Sequence, residues 1–164
     1  MDSNNRVALL IIDPSCSVED ADVKFLIGCA PNKMKMKSNN CDLIKGHIEV
    51  GESPIDAVIR EAKEECGIKF KISDIALLDI APYADTGNDG VMALYYAKAP
   101  FSLTDENIKA NCKCTSYYTQ FGRQFPELCK YYAITISEAN DRLYKKLVPF
   151  LQEIKKIKEL DWNI

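Results

Sequence analysis

From Gly46 to Ile68 the chain brings three glutamates, Glu61, Glu64 and Glu65, into about one turn of helix, with a fourth, Glu52, in a glycine-flanked loop just ahead. The local signals support a loop followed by a short helix. Ser53 is a favoured N-cap, Pro54 suits the first helical position, and Asp56 adds a negative charge near the helix N-terminus. Gly67 stands where a left-handed residue would end the helix. Ile55, Val58, Ile59 and Ala62 recur at helical spacing as one apolar stripe. Glu61 is three residues from Glu64 and four from Glu65, so the three can converge on one polar face. Arg60, four after Asp56 and four before Glu64, can offset part of that charge. Like charges so close repel, and a helix gains nothing by gathering them unless a cation joins them. Clustered carboxylate oxygens suit a hard ion, Mg²⁺ or Mn²⁺, and magnesium commonly bridges to substrate phosphates.

The same stretch reads Gly46, five residues, Glu52, seven residues, Arg60-Glu61, an apolar residue, any residue, Glu64-Glu65, any residue, Gly67, Ile68. That fills every position of the Nudix box, and the chain resembles a Nudix hydrolase. With each specified residue used at about 5–7%, a chance match is on the order of one in a billion per starting point. The resemblance implies an α/β (α+β) fold, an α/β/α sandwich around a mixed central sheet, in one domain over residues 1–164. It implies cleavage of a nucleoside diphosphate linked to another group, with Mg²⁺ (or Mn²⁺). It makes Glu61, Glu64 and Glu65 the metal ligands, with the Gly46 carbonyl as a further one. Arg60 would orient the carboxylates, and Glu52 would brace the loop or bind metal through water.

The general base is less determined. Family members draw it from the box or from a downstream loop, and Glu127, just before a strand, sits where a downstream base is expected. Glu106 is the runner-up, and a surface role is open to both. The strand into the box ends Leu43-Ile44-Lys45-Gly46, where the family usually has Pro before Gly. The Lys-Gly form resembles members that handle dinucleoside polyphosphates. Lys45 is therefore a substrate-binding candidate. His47 either contacts phosphate or is an exposed loop histidine. Base-stacking candidates are Tyr83, Phe101, Tyr117, Tyr118, Phe121, Phe125 and Tyr131, although aromatic side chains more often fill cores.

Composition sets the outer bounds. The chain has 164 residues, 47% hydrophobic and 27% charged, enough for one core. A net charge of −3 argues against general nucleic-acid affinity while leaving RNA 5′ ends open. Lys33, Lys35 and Lys37 either meet phosphates or form a solvated face. No secretory leader and no apolar run of membrane-spanning length is evident. The seven cysteines are scattered without a CxxC pair, so free or buried thiols in a reducing cytoplasm are expected rather than disulfides or zinc. The Cys112-x-Cys114 pair lacks partner ligands for a metal.

Strands are expected at 6–13, 23–29, 41–44, 72–81, 91–97 and 131–136, and a helix from 138 to 148, kinked or restarted by Pro149 toward 159. Residues 85–90 read as a turn, and residues 104–119 carry no clear period. The expected function is a metal-dependent pyrophosphohydrolase acting on a nucleotide-type small molecule, such as a dinucleoside polyphosphate or nucleoside triphosphate. No membrane partner is expected, and a homodimer is compatible. The alternatives are an RNA 5′-end pyrophosphohydrolase, and a non-catalytic nucleotide-sensing module; such modules usually lose a box glutamate, and this chain has lost none.

Overall fold

A computed structural model describes residues 4–16, 23–31, 41–85, 88–135 and 138 of the chain. In order these form β1 (Arg6–Ile12), β2 (Phe25–Cys29), β3 (Cys41–Asp42), β4 (Ile44–His47), α1 (Pro54–Cys66) and a 3₁₀ turn (Ile72–Asp74). There follow β5 (Ala76–Asp85), β6 (Asn88–Lys98), α2 (Asp105–Asn111), β7 (Tyr117–Gln120), β8 (Arg123–Pro126) and β9 (Lys130–Ile134).

The apolar run of β1 makes it the central strand. Val7, Leu9 and Ile11 point into one core and Ala8, Leu10 and Ile12 into the other, as alternation along a strand buried on both faces requires. One edge of β1 pairs in parallel with β6, which forms a hairpin with β5. On the other edge, β2 meets β1 only at Ile12↔Phe25. β4 takes the rest, pairing antiparallel from Arg6↔His47 to Leu9↔Ile44. β3 and β9 flank β2, completing a mixed seven-stranded sheet. The chain is thus a mixed α+β fold around a mixed central sheet, and both helices among the described residues contribute to the same core layer.

The Ser53 hydroxyl accepts the Asp56 N–H at 3.2 Å, Pro54 opens α1, and Gly67 closes it at φ 75° with its N–H on the Lys63 carbonyl. Ala57, Val58, Ala62 and Cys66 bury α1 against the sheet, each fully buried Val-sized side chain contributing about 1.5–3 kcal/mol.

Several expectations change. Residues 72–74 form a 3₁₀ turn rather than strand, and the ladder between β5 and β6 runs on to Asp85↔Asn88, through most of the expected turn. The segment 104–119 holds α2, capped by Thr104, and β7, which pairs with β8 in a separate two-stranded sheet. Cys29 and Cys41 form a disulfide, against the expectation of free thiols only. They stand directly opposite each other in the β2–β3 pairing, a proximity that scattered sequence positions conceal. The expected helix from 138 and the lysines at 33, 35 and 37 lie outside the described residues, Glu138 apart. Among the described residues no helix is long and apolar enough to cross a membrane.

Candidate active site

β4 and α1 run past each other so closely that a Cβ on Gly46 would collide with the Glu61 carboxylate. Glycine at the end of the Lys45-Gly46 step therefore leaves the Glu61 carboxylate its place against β4. It brings the backbone of β4 against the carboxylates of α1. Glu61 and Glu65 are buried rather than set on a solvated face. They are 8% and 6% exposed, on the same side as Ala57 and Val58, and only Glu64 is half-buried. The spacing of four that aligns Glu61 with Glu65 also aligns both with Ala57, so the apolar stripe carries them under the edge of the sheet. The Glu65 carboxylate accepts the Lys45 N–H at 2.9 Å.

Arg60 ties the loop to the helix. Its Nε and one terminal nitrogen donate to the two oxygens of Glu52 at 2.7 and 3.0 Å, a bidentate pair. The same terminal nitrogen reaches the His47 carbonyl at 2.9 Å, and the other donates to Glu61 at 2.8 Å and Glu64 at 3.3 Å. Glu52 also accepts the Glu49 N–H at 3.0 Å, which closes the loop. Through these bonds Glu52 links the loop to the helix. Hydrogen bonding from Arg60 holds its carboxyl below the usual carboxylate range.

The deeper carboxylates behave in the opposite way. Burial pushes Glu61 up to about 7 despite Arg60, and Glu64 and Glu127 add to the rise. Burial, then the charge of Glu61, pushes Glu65 well above its ordinary value. Formally, the four carboxylates of Glu52, Glu61, Glu64 and Glu65 outnumber the one guanidinium, Arg60, that pairs with three of them. Among the described residues no three acidic, thiol or imidazole groups already form a cation cage; the Arg60 guanidinium sits between Glu61 and Glu64. The oxygens that the resemblance assigns to an ion, the Gly46 carbonyl and the carboxylates of Glu61, Glu64 and Glu65, would make an all-oxygen donor set. Hard donors, burial and excess negative charge fit Mg²⁺ or Mn²⁺.

A cleft of about 390 Å³ opens beside these groups, lined by the carboxylates of Glu49, Glu61, Glu64 and Glu127 together with Arg6, Lys45, His47 and Arg60. Lys45 and His47, two residues apart on β4, both line it, with Lys45 paired to Asp42 at 3.0 Å. Burial pushes the Asp42 carboxyl up to about 6 even so. Glu127 follows β8, its N–H held by the Ser116 carbonyl at 3.0 Å. Glu106 is exposed on α2 and does not line the cleft. Sequence reading missed Arg6; the pairing of Arg6 with His47 across β1 and β4 places it there, and nothing local in the sequence signals that pairing.

The aromatic candidates separate. Tyr118 and Phe125 stack on each other at 5.7 Å, and Tyr117 and Phe121 are exposed on the β7–β8 hairpin. Phe101 packs against the core. Tyr131 donates its hydroxyl to the Glu65 carbonyl, an anchoring role that residue type alone did not reveal.

A family model described as the NUDIX domain matches residues 15–143. No curated protein matches in sequence. In fold, the chain is similar to the Escherichia coli ORF135 protein, at 16% identity and TM-score 0.65 over 100% of this chain and 96% of the other. It is similar to the NUDIX domain of Shewanella oneidensis NrtR complexed with ADP ribose, at 13% identity and TM-score 0.64 over 96% and 89%. It is also similar to a Caenorhabditis elegans Ap4A hydrolase, at 16% identity and TM-score 0.59 over 93% and 96%.

Proposed function

The chain belongs to the Nudix family and is a pyrophosphatase of that type, and from that premise we propose that it cleaves a nucleoside diphosphate linked to another moiety, with Mg²⁺ or Mn²⁺ as cofactor. Dinucleoside polyphosphates and nucleoside triphosphates are the substrate class. The observation that carries this reading is the cleft lined by both carboxylates and cations, with Glu61, Glu64 and Glu127 in the same lining as Arg6, Lys45 and His47. Its carboxylates suit a divalent cation, and its cationic side chains suit phosphate oxygens. The ADP ribose and Ap4A in the descriptions of two similar structures are both nucleosides carrying phosphoric anhydrides, which supports the same class.

Gly46, Glu61, Glu64 and Glu65 would hold the ion, which when bound polarises phosphoryl oxygens and neutralises charge on the leaving phosphate. Arg60 fixes the loop and the helix face through Glu52, Glu61 and Glu64. Lys45, His47 and Arg6, in the lining of the same cleft, orient the phosphate chain. An attacking water forms the new P–O bond as the anhydride P–O bond breaks, and its proton passes to a carboxylate oxygen of Glu127.

The test is product release from dinucleoside polyphosphates, nucleotide sugars, nucleoside triphosphates and triphosphorylated RNA, each with Mg²⁺, Mn²⁺ or chelator. Turnover of a dinucleoside polyphosphate or nucleoside triphosphate that stops with chelator is expected. Turnover that resists chelator, or confined to RNA, would overturn the reading.

A further inference from the structure

The last four carbonyls of a helix have no partner within it, and in α1 each is met by a specific donor. Lys63 is met by the Gly67 N–H at 3.1 Å. The Glu64 carbonyl accepts the Thr115 N–H at 2.7 Å and its hydroxyl at 3.3 Å, and the Cys66 carbonyl accepts the Lys113 N–H at 3.1 Å. The Glu65 carbonyl accepts the Tyr131 hydroxyl. Three of the four donors come from outside the helix cap, from the segment after α2 and from β9. That same segment continues to Ser116, whose carbonyl holds the Glu127 N–H. One strap therefore joins the end of the helix carrying Glu64 and Glu65 to Glu127, which lines the same cleft as Glu64.

We propose that Tyr131 is a positioning residue for the cation site: its hydroxyl, with the 113–115 strap, fixes the backbone of Glu64 and Glu65 and so the aim of their carboxylates. This rests on the metal-dependent reading above. The last turn of a helix frays readily, whereas a ligand constellation tolerates displacement of only about 0.5 Å. The Glu65 carboxylate has a second constraint, the Lys45 N–H at 2.9 Å, and it meets that bond only while its backbone stays in place. The ring of Tyr131 already packs against the α1-side core, so a phenylalanine would fill the same space. The hydroxyl is left with the Glu65 carbonyl as its task.

The experiment compares wild type, Tyr131→Phe and Tyr132→Phe; Tyr132 is the neighbour on β9 that packs toward the opposite core. Mn²⁺ affinity is read by paramagnetic resonance, alongside thermal melting, the Mg²⁺ concentration for half-activation, and kcat and KM. Tyr131→Phe is expected to fold, to bind Mn²⁺ about 10-fold more weakly and to lose kcat by a similar factor. Its KM at saturating metal should stay within about twofold, and Tyr132→Phe should keep wild-type Mn²⁺ affinity. A Tyr131→Phe protein that melts earlier yet keeps wild-type Mn²⁺ affinity and kcat would reduce the hydroxyl to a helix cap and overturn the proposal. Equal weakening in Tyr132→Phe would do the same. Failure of the wild type itself to bind Mn²⁺ and hydrolyse anhydrides would overturn the functional reading, and this inference with it.

Discussion

Gly46→Ala is the substitution whose effect follows most directly from the geometry. The added Cβ would strike the Glu61 carboxylate, and even the farther oxygen would lie 2.6 Å away. Carbon and oxygen approach to about 3.3 Å at closest, so that atom must retreat by roughly 0.7 Å and the nearer one by more. What gives way is the end of a flexible side chain rather than backbone, and Gly46 is not among the positive-φ glycines. The fold should therefore survive. Glu61 loses its 2.8 Å bond to Arg60, at a cost of about 1.5 kcal/mol, partly offset by the lower entropy of the unfolded alanine chain. A ligand displaced by about 1 Å can lower the rate by ~10²-fold. Steady-state hydrolysis with a Mg²⁺ titration, beside a thermal melt, should show a nearly native melt, kcat down by about two orders of magnitude and a higher metal requirement. Adding Gly46→Ala to Glu61→Ala should cost almost nothing more, because the two act through one carboxylate. Wild-type turnover in Gly46→Ala, or fully additive losses in the double variant, would refute the reasoning.

Three further outcomes are expected. Glu127→Gln should lower kcat by about 10²-fold with KM and Mn²⁺ affinity little changed; full turnover would move the base into the box, since Glu106 stands apart from the cleft. Asp42, raised to about 6 by burial, binds its proton more tightly folded than unfolded, so its contribution to stability declines as pH rises from about 4 to 6. Asp42→Asn should flatten that part of the melting profile, and an unchanged slope would contradict the assignment. Thiol titration of the unreduced, denatured protein should find five reactive cysteines, matching the five free thiols beside the Cys29–Cys41 disulfide; seven would show that the bond had not formed.

The box was legible because its residues are local and each cap is a one-residue signal: Ser53, Pro54 and Gly67 all do in space what their types suggest. β1 was legible from an unbroken apolar run. The β7–β8 hairpin was not, because its two-residue turn places Phe121 at φ 52° and Gly122 at φ 70°. Asparagine or aspartate normally announces such a turn, and a phenylalanine hides it. α2 was missed for lack of length: seven residues with Ile108 alone buried show no period, although Thr104 does cap it. The spacing of four put Glu61 and Glu65 in line with Ala57, but how close β4 comes to the Glu61 carboxylate at Gly46 is a tertiary contact that spacing does not show. Arg6, Tyr131 and the Cys29–Cys41 pair all act across long sequence separations, where one chain read in order carries no signal.

The central claim is that buried glutamates of α1 hold the ion on which anhydride cleavage depends, and Glu65→Gln tests it most directly. Glutamine keeps the volume and can still accept the Lys45 N–H, so the fold should persist, while the charged ligand is lost. Hydrolysis of a diadenosine polyphosphate at saturating Mg²⁺, measured side by side on folded wild type and variant, should show kcat lower by about 10²-fold or more. Near wild-type turnover in a folded Glu65→Gln protein would contradict the account.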